Sequence, residues 1–231
     1  MSTKLERLLL DQIREANDRW DLFRPGERLI VGVSGGKDSL SCLRLLSFFN
    51  LEMIAVNIDF FAANDNKFAE YCSQYADYLH IISDYLNKDK DNKNLCFSCS
   101  KQRKRCLLEA AERHHSTKIV LGHHKNDVVE TLLMNQIYSR EISTMLPKQE
   151  LLNGSYRMIR PMYLIPEPLI QTYAREQRIP YIENSCEFGN LSKRSMIRDM
   201  LKTIAENSPR IDVIDNIFSS MLRVNKNFLP Q

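Results

Sequence analysis

The sequence has few of the features that mark exported or membrane proteins. None of its apolar runs approaches the roughly 18 residues that a membrane-spanning helix needs, and the N-terminal stretch lacks the apolar core of a signal peptide. We therefore expect a cytoplasmic protein with no membrane partner. No repeat, low-complexity tract or Pro/Gly-rich linker interrupts the 231 residues. The expectation is a single domain, in which an N-terminal helix within residues 1–26 packs on a catalytic core formed by residues 27–231.

Positive and negative charges are also too evenly balanced to indicate the kind of binding partner. A formal net charge of +3 does not by itself indicate nucleic-acid binding, for which the distribution of the charge matters more than its sum. The 43% hydrophobic content is that of a globular chain, and the length suffices for one substantial core.

One short stretch organises the rest of the chain. Residues 30–39 read IVGVSGGKDS, an apolar run that ends in two glycines, a lysine, an aspartate and a serine. This pattern predicts a buried strand that turns sharply into a helix. Gly35 and Gly36 allow the backbone to approach a phosphate, while Lys37 adds a positive charge and Ser34 and Ser39 add hydroxyl donors.

The spacing of this loop differs from that of the Walker A loop, which has four residues between its first glycine and a Gly-Lys pair. Ser-Gly-Gly-x-Asp-Ser instead resembles the pyrophosphate loop of the PP-loop ATPases, which cleave ATP to AMP and pyrophosphate. A purely architectural Gly-Gly turn is the alternative interpretation of the same residues.

Strand and helix patterns alternate along most of the chain. The patterns predict an α/β fold of the Rossmann-like type, with a parallel twisted sheet, helices on both faces and additional helices at the two termini. Predicted helices cover 2–20, 40–49, 64–78, a stretch from the Cys96 region to 114, 127–135, 167–178, 193–205 and 213–224. Besides the strand before the loop, predicted strands cover 53–59, 80–83, 118–123, 157–161 and 180–183.

Polar residues follow two of the predicted strands. Ligands of nucleotide-binding α/β folds lie beyond the carboxyl ends of parallel strands, so Asp59 is a candidate for contact with ribose or adenine. Gly122 and His123 follow a later strand, and Asp127 begins the next helix, so these residues are candidates for the same site. A strand-end cap at Asp59, a helix cap at Asp127 and a core histidine at His123 are the structural alternatives.

The six cysteines fall into two groups. Cys42, Cys72 and Cys106 lie in predicted helices, where burial as small hydrophobic side chains is expected. Cys96 and Cys99 have the Cys-x-x-Cys spacing of a metal half-site, and Cys186 is the other cysteine in polar, turn-like surroundings. Three thiolates suit an iron–sulfur cluster better than a closed zinc site. A zinc ion completed by histidine and a redox-active disulfide between Cys96 and Cys99 remain as alternatives.

Two groups of basic residues flank these cysteines. Both could contact RNA phosphates, although a solvated helix face is the ordinary interpretation of such charge runs. The first group follows Cys99, and the second follows Cys186: Lys101, Arg103, Lys104 and Arg105, and Lys193, Arg194 and Arg198.

Taken together and in order, residues 34–39, 96–99, 122–135 and 194–201 resemble the two-thiocytidine synthetase group of PP-loop proteins. The resemblance implies a tRNA sulfurtransferase that uses ATP and Mg²⁺ to adenylate C2 of an anticodon-loop cytidine. The catalytic residues that it implies are Lys37, Asp38, Cys96, Cys99 and Asp127, and Mg²⁺ would bind near Asp38. It also implies a [4Fe-4S] cluster held by Cys96, Cys99 and Cys186. The implied partners are tRNA and a sulfur donor such as a cysteine desulfurase or inorganic sulfide.

Some residues depart from that group. Asn126 stands where the group carries the first of two aspartates, and residues 60–63 read Phe-Phe-Ala-Ala in place of a Gly/Pro-containing stretch. The alternatives are a lysidine-synthetase-like ligase that attacks adenylated cytidine with an amine, a PP-loop enzyme acting on a small molecule or in sulfur removal, and a nucleotide-binding regulatory module. A homodimer would extend the RNA surface.

Overall fold

A computed structural model describes residues 3–60, 67–82, 95–182, 193–225 and 227. The chain divides into two compact units. The first unit consists of Met1–His124 and Leu146–Ser185, and the second of Lys125–Met145 and Cys186–Gln231. The single-domain organisation expected from the sequence stays a prediction.

The first unit contains a six-stranded sheet and five helices within its described residues. The helices are α1 (Lys4–Trp20), α2 (Lys37–Leu46), α3 (Lys67–Ser73), α4 (Leu95–Arg113) and α6 (Glu167–Glu176). The strands are β1 (Arg28–Val33), β2 (Glu52–Asp59), β3 (Asp77–Ile82), β4 (Lys118–Leu121), β5 (Lys148–Leu151) and β6 (Tyr156–Ile159).

The sheet has the strand order β3-β2-β1-β4-β6-β5. All neighbours are parallel except β5, which pairs antiparallel with β6 at the edge. Successive residues of β1, Leu29, Ile30 and Val31, are each at most 1% exposed although they point to alternate faces. Burial on both faces confirms the predicted α/β architecture, a mainly parallel sheet with helices on both faces.

Helix α4 packs against three strands of the sheet, β1, β2 and β4. Its Leu107, Ala110 and Ala111 pack with Ile30 of β1 and Ile119 of β4 in one buried cluster. Helices α1, α2 and α6 contact one another elsewhere in the unit. A buried polar group joins them, because the hydroxyl of Tyr173 on α6 donates to Glu6 of α1 and accepts from Arg44 of α2.

The structure corrects two boundaries and two strand assignments. The helix predicted over 64–78 ends at Ser73, and β3 begins at Asp77 rather than at His80. The reason is local, since the N–H groups of Tyr75 and Ala76 turn back to the carbonyl of Cys72 and β3 then pairs with β2 from Asp77 onward. Strand β5 was not predicted, and residues 180–182 form no strand.

The second unit, within its described residues, consists of helices α5 (Lys125–Ser139), α7 (Lys193–Asn207) and α8 (Val213–Leu222). Helix α5 contacts both of the others. Lys125 of α5 forms an ion pair of 2.8 Å with Asp215 of α8, which lowers the pKa of that carboxyl through a hydrogen bond. None of the helices in the described ranges of the chain has the length and hydropathy needed to cross a membrane.

Candidate nucleotide site

The loop after β1 is held by hydrogen bonds from its own residues and from β2. The amide of Asn57, which is 2% exposed on β2, donates to the carbonyl of Val33 at the last position of β1. The backbone N–H of Ser34 donates to the hydroxyl of Ser39, and that hydroxyl lies 3.0 Å from the carbonyl oxygen of Gly36. The two serines therefore tie the loop to the first turn of α2.

One position of this loop requires glycine, because its backbone has a positive φ and because a side chain there would collide with a neighbouring ring. Gly35 has a φ of +81°, and a Cβ there would lie 3.1 Å from the ring of Phe68. Gly36 is the N-cap of α2, so the loop leads directly into the helix N-terminus. Free N–H groups and the helix dipole at such a terminus favour an anion. The predicted residues Ser34, Gly35, Gly36, Lys37, Asp38 and Ser39 are thus gathered in one turn.

The end of β4 approaches the same turn closely. A Cβ built on Gly122 would lie 3.0 Å from both the carbonyl oxygen of Asp38 and the Cα of Ser39. Because β1 and β4 are neighbours, their carboxyl ends meet at the point where the strand order reverses, and ligands of open α/β sheets bind at such points. The structure thus brings together the loop and the Gly122 segment, which are 83 residues apart in sequence from Ser39 to Gly122.

Lys37 is held by two carboxylates. Its Nζ lies 2.7 Å from Oε1 of Glu167 at the start of α6 and 3.0 Å from Oδ1 of Asp38. Burial alone would lower the pKa of Lys37, but the negative charges of Asp38 and Glu167 outweigh burial and raise this pKa above its usual value. Lys37 is therefore an ammonium at every physiological pH.

A third group completes the surroundings of Asp38. Nε2 of His124, whose side chain is 3% exposed, lies 3.7 Å from Oδ1 of Asp38. One ligand atom from each of Asp38, His124 and Glu167 lies within 4.8 Å of the others. Carboxylate oxygens are the ligands that Mg²⁺ prefers, and the ammonium already held among them shows that the position attracts a cation. These residues fit a divalent cation.

Two other predicted residues lie at the same edge of the sheet. His123 accepts a hydrogen bond at Nδ1 from Nε of Arg160, which is 5% exposed at the end of β6. Asp59 is 8% exposed at the end of β2, and its Oδ2 lies 3.8 Å from Nε2 of His80 on β3. Whether Asp59 and His123 contact a nucleotide stays a prediction.

The cysteine half-site lies on the first turn of α4. Cys96 and Cys99 are three residues apart in that helix, a spacing that places both on one face. Cys99 is half-buried, and Nη2 of Arg103 lies 3.8 Å from its sulfur. A guanidinium at this distance stabilises the thiolate that metal binding requires. The side chain of Cys96 and all of Cys186 lie outside the described residues, so the structure does not test the three-cysteine ligand set.

The remaining described cysteines behave as predicted. Cys42, Cys72 and Cys106 are buried and unpaired with another cysteine. Burial raises the pKa of the thiol to about 12 at Cys42 and at Cys72, and also raises it at Cys106. These thiols stay protonated at neutral pH and serve as packing groups.

The two groups of basic residues differ in their surroundings. Lys101, Arg103, Lys104 and Arg105 are all exposed on α4. In the second unit, Arg194 contacts both Asp127 and Glu130 of α5, at 3.2 and 3.4 Å, and Nε of Arg198 lies 2.9 Å from Glu130. Nζ of Lys193 lies 4.5 Å from the ring centroid of Tyr138. RNA contacts by these residues, and catalysis by Asp127, stay predictions.

Three residues of this region were not predicted as site residues. Arg160 follows β6 and His124 follows His123 after β4, and the rule that placed Asp59 at a strand end also applies to them. Glu167 gives a weaker signal, because an acidic residue in the first turn of a helix is ordinarily explained by the helix dipole.

The fold and the loop together define a nucleotide-binding α/β protein with a phosphate cradle between β1 and β4. Residues 1–204 match the family described as PP-loop domain. The chain belongs to this PP-loop family.

Similar proteins narrow the relationship further. The chain is 31% identical to a tRNA-cytidine(32) 2-sulfurtransferase of Polynucleobacter necessarius, over 94% of this chain and 76% of that protein. It is also 31% identical to proteins of the same name from Alkalilimnicola ehrlichii, over 99% of this chain and 76% of the relative, and from Pectobacterium atrosepticum, over 96% and 75%.

Solved structures agree on the fold. The chain is similar to the U34-tRNA thiolase NcsA from Methanococcus maripaludis, solved with its [4Fe-4S] cluster, with a TM-score of 0.78, 22% identity, and coverage of 95% of this chain and 78% of that one. A more distant likeness is to the NH3-dependent NAD synthetase from Campylobacter jejuni, with a TM-score of 0.51 and 16% identity over 99% of this chain and 96% of that chain.

Proposed function

We propose that the protein is an ATP-dependent tRNA sulfurtransferase that replaces the C2 oxygen of an anticodon-loop cytidine with sulfur. The observation that carries the proposal is the pyrophosphate loop itself, closed against Gly122 at the switch point of the sheet, in a chain of the PP-loop family. The relatives that are 31% identical, named tRNA-cytidine(32) 2-sulfurtransferases, supply the substrate class.

The first chemical step is adenylation. The C2 oxygen of the base attacks the α-phosphorus of ATP, and the bond to pyrophosphate breaks. The backbone N–H groups of the loop and the Lys37 ammonium stabilise the charge that develops on the departing pyrophosphate. Asp38 and Glu167, with His124 beside Asp38, would hold Mg²⁺ next to it. Joining AMP to the C2 oxygen turns a poor leaving group into a good one.

In the second step sulfur bonds to C2 and AMP leaves with the former base oxygen. Cys96, Cys99 and Cys186 would hold a [4Fe-4S] cluster, which supplies a binding site for the incoming sulfur. Arg103 lies 3.8 Å from the sulfur of Cys99 and would stabilise its thiolate, and the exposed cations of α4 would contact tRNA phosphates beside Cys99. The sulfur donor, a homodimer and a cytoplasmic location stay predictions.

The adenylation step is tested by AMP formation from labelled ATP with unmodified tRNA and sulfide, because AMP leaves only after sulfur bonds to C2. Lys37→Ala and Asp38→Ala are expected to abolish AMP release while the proteins stay folded, because each removes a charged group from the loop. Ser219→Ala, a change on α8 in the second unit, is the matched control. Undiminished turnover in the loop variants would refute the adenylation mechanism.

The sulfur transfer is tested by nucleoside analysis of tRNA after incubation with anaerobically purified protein, ATP and sulfide. We expect 2-thiocytidine in the digest and about four irons per chain in the protein. Cys186→Ala and Cys99→Ala should lower the iron content equally, whereas Cys106→Ala on the buried side of α4 should retain it. Retention of iron by Cys186→Ala would show that the third ligand is wrongly assigned, and lysidine or unmodified cytidine in place of 2-thiocytidine would refute the proposed reaction.

A further inference from the structure

Two carboxylates already hold the Lys37 ammonium. An ammonium offers three N–H donors. In the structure Nζ donates to Oε1 of Glu167 at 2.7 Å and to Oδ2 of Asp38 at 3.1 Å, and Oδ1 of Asp38 lies 3.0 Å away. A phosphate oxygen that approaches Nζ from the side of Glu167 therefore has to displace this carboxylate.

The two carboxylates differ in how they are attached. Asp38 follows Lys37 directly on α2, so its carboxylate moves with the same helix turn. Glu167 comes from the first turn of α6, 130 residues further along the chain, and its contact with Nζ is the shortest of the three. The side chains of Lys37 and Glu167 are only 19% and 26% exposed, so water screens their attraction weakly.

We propose that Glu167 is a positioning residue that competes with the phosphate groups of the nucleotide for the Lys37 ammonium. In the protein without nucleotide, Glu167 holds Lys37, and nucleotide binding transfers the ammonium from the Glu167 carboxylate to phosphate oxygens. The released carboxylate then faces Asp38 with no cation between them, which is the arrangement that favours uptake of a divalent ion. This inference rests on the proposed function, because it takes the loop to be a pyrophosphate site.

The competition predicts a gain of affinity, which a merely structural role for Glu167 would not produce. Binding of inorganic pyrophosphate is measured by calorimetry in the presence of EDTA, so that no divalent ion contributes. Glu167→Gln keeps the shape of the side chain and removes its charge. We expect it to bind pyrophosphate about tenfold more tightly than the wild type, in the lower part of the range for hydrogen bonds to charged groups. Glu176→Gln, at the other end of α6, removes the same charge far along the helix and should leave the affinity unchanged.

A double-mutant cycle separates competition from simple charge repulsion. In a Lys37→Ala background the change at Glu167 should alter pyrophosphate affinity by no more than about twofold. An unchanged or weaker affinity in Glu167→Gln, or the same gain with and without Lys37, would overturn the inference. Thermal unfolding monitors the fold, and Glu167→Asp, whose shorter side chain withdraws from Nζ, replaces Glu167→Gln if the latter is unfolded. If neither the wild type nor the variant binds pyrophosphate, the proposed nucleotide site fails and the inference fails with it.

Discussion

The contact between Gly122 and the start of α2 makes a quantitative prediction for a single added methyl group. In Gly122→Ala the new Cβ would lie 3.0 Å from the carbonyl oxygen of Asp38, 3.0 Å from the Cα of Ser39 and 3.1 Å from the carbonyl carbon of Asp38. Normal contacts between such atoms are about 3.5 Å or longer. All three neighbours are backbone atoms, so no side-chain rotation relieves the overlap, and the end of β4 or the first turn of α2 must shift by several tenths of an ångström.

Overpacking of this kind costs about 1–3 kcal/mol of unfolding free energy. For a chain of this size that corresponds to a fall in Tm of about 2–12 °C. Because the displaced atoms belong to the phosphate cradle, ATP affinity should fall together with stability. Gly36→Ala is the matched control for stability in the same loop, since a Cβ at Gly36 meets only the hydroxyl of Ser34, at 3.4 Å. Denaturant unfolding compares the two variants, and ATP titration compares Gly122→Ala with the wild type. A Gly122→Ala protein with the stability and ATP affinity of the wild type would refute the close approach of the two segments.

Three further outcomes are expected. Tyr173→Phe should lower the unfolding free energy in chemical denaturation by about 1–2 kcal/mol, because it removes the hydroxyl that joins Glu6 to Arg44. Tyr138→Phe on the surface should change this free energy little, and equal losses in the two variants would contradict the buried network. In metal-free protein at pH 8, iodoacetamide should modify Cys99 and spare Cys42 and Cys72, because burial raises the thiol pKa of the latter two to about 12. Peptide mass spectrometry measures the modification, and early modification of Cys42 would contradict its burial. The double variant Lys101→Ala/Lys104→Ala should bind tRNA more weakly in filter binding, and the salt dependence of its binding should fall by about one to two ion equivalents. Arg198→Ala should mainly lower stability, as measured by thermal unfolding. The reverse pattern would contradict the different roles assigned to the two groups.

Much of this fold follows from local sequence patterns. The apolar run before Ser34 and the apolar residues of β2 and β4 are buried on both faces, and such runs mark parallel strands without any knowledge of their partners. Strand β5 escaped prediction because Lys148–Leu151 is mostly polar and lies at the edge of the sheet. Its signal was in the turn instead, since Asn153 and Gly154 both have positive φ and an Asn-Gly pair is typical of a hairpin.

The candidate site also has a part that local sequence patterns predict and a part that they do not. The loop residues are adjacent in sequence, so their types and spacing sufficed to predict a phosphate cradle. The ion pair between Lys37 and Glu167 joins residues that are 130 positions apart, and no local pattern distinguishes a carboxylate that binds a lysine from one that complements a helix dipole. The same holds for Arg160 and His123, which meet only because β6 lies beside β4 in the sheet.

The basic residues show why a charge run alone does not identify an RNA-binding surface. Glu130 is 2% exposed on α5, and a carboxylate buried to that extent requires a cation and hydrogen bonds. Arg194 and Arg198 supply both from α7, so the folding of the second unit is sufficient to explain why these residues are basic. Lys101 and Lys104 on α4 have no such structural role among the described contacts, so phosphate binding stays the prediction for them. The two groups look alike in sequence, but within the described residues Arg194 and Arg198 face a buried acid whereas Lys101 and Lys104 do not.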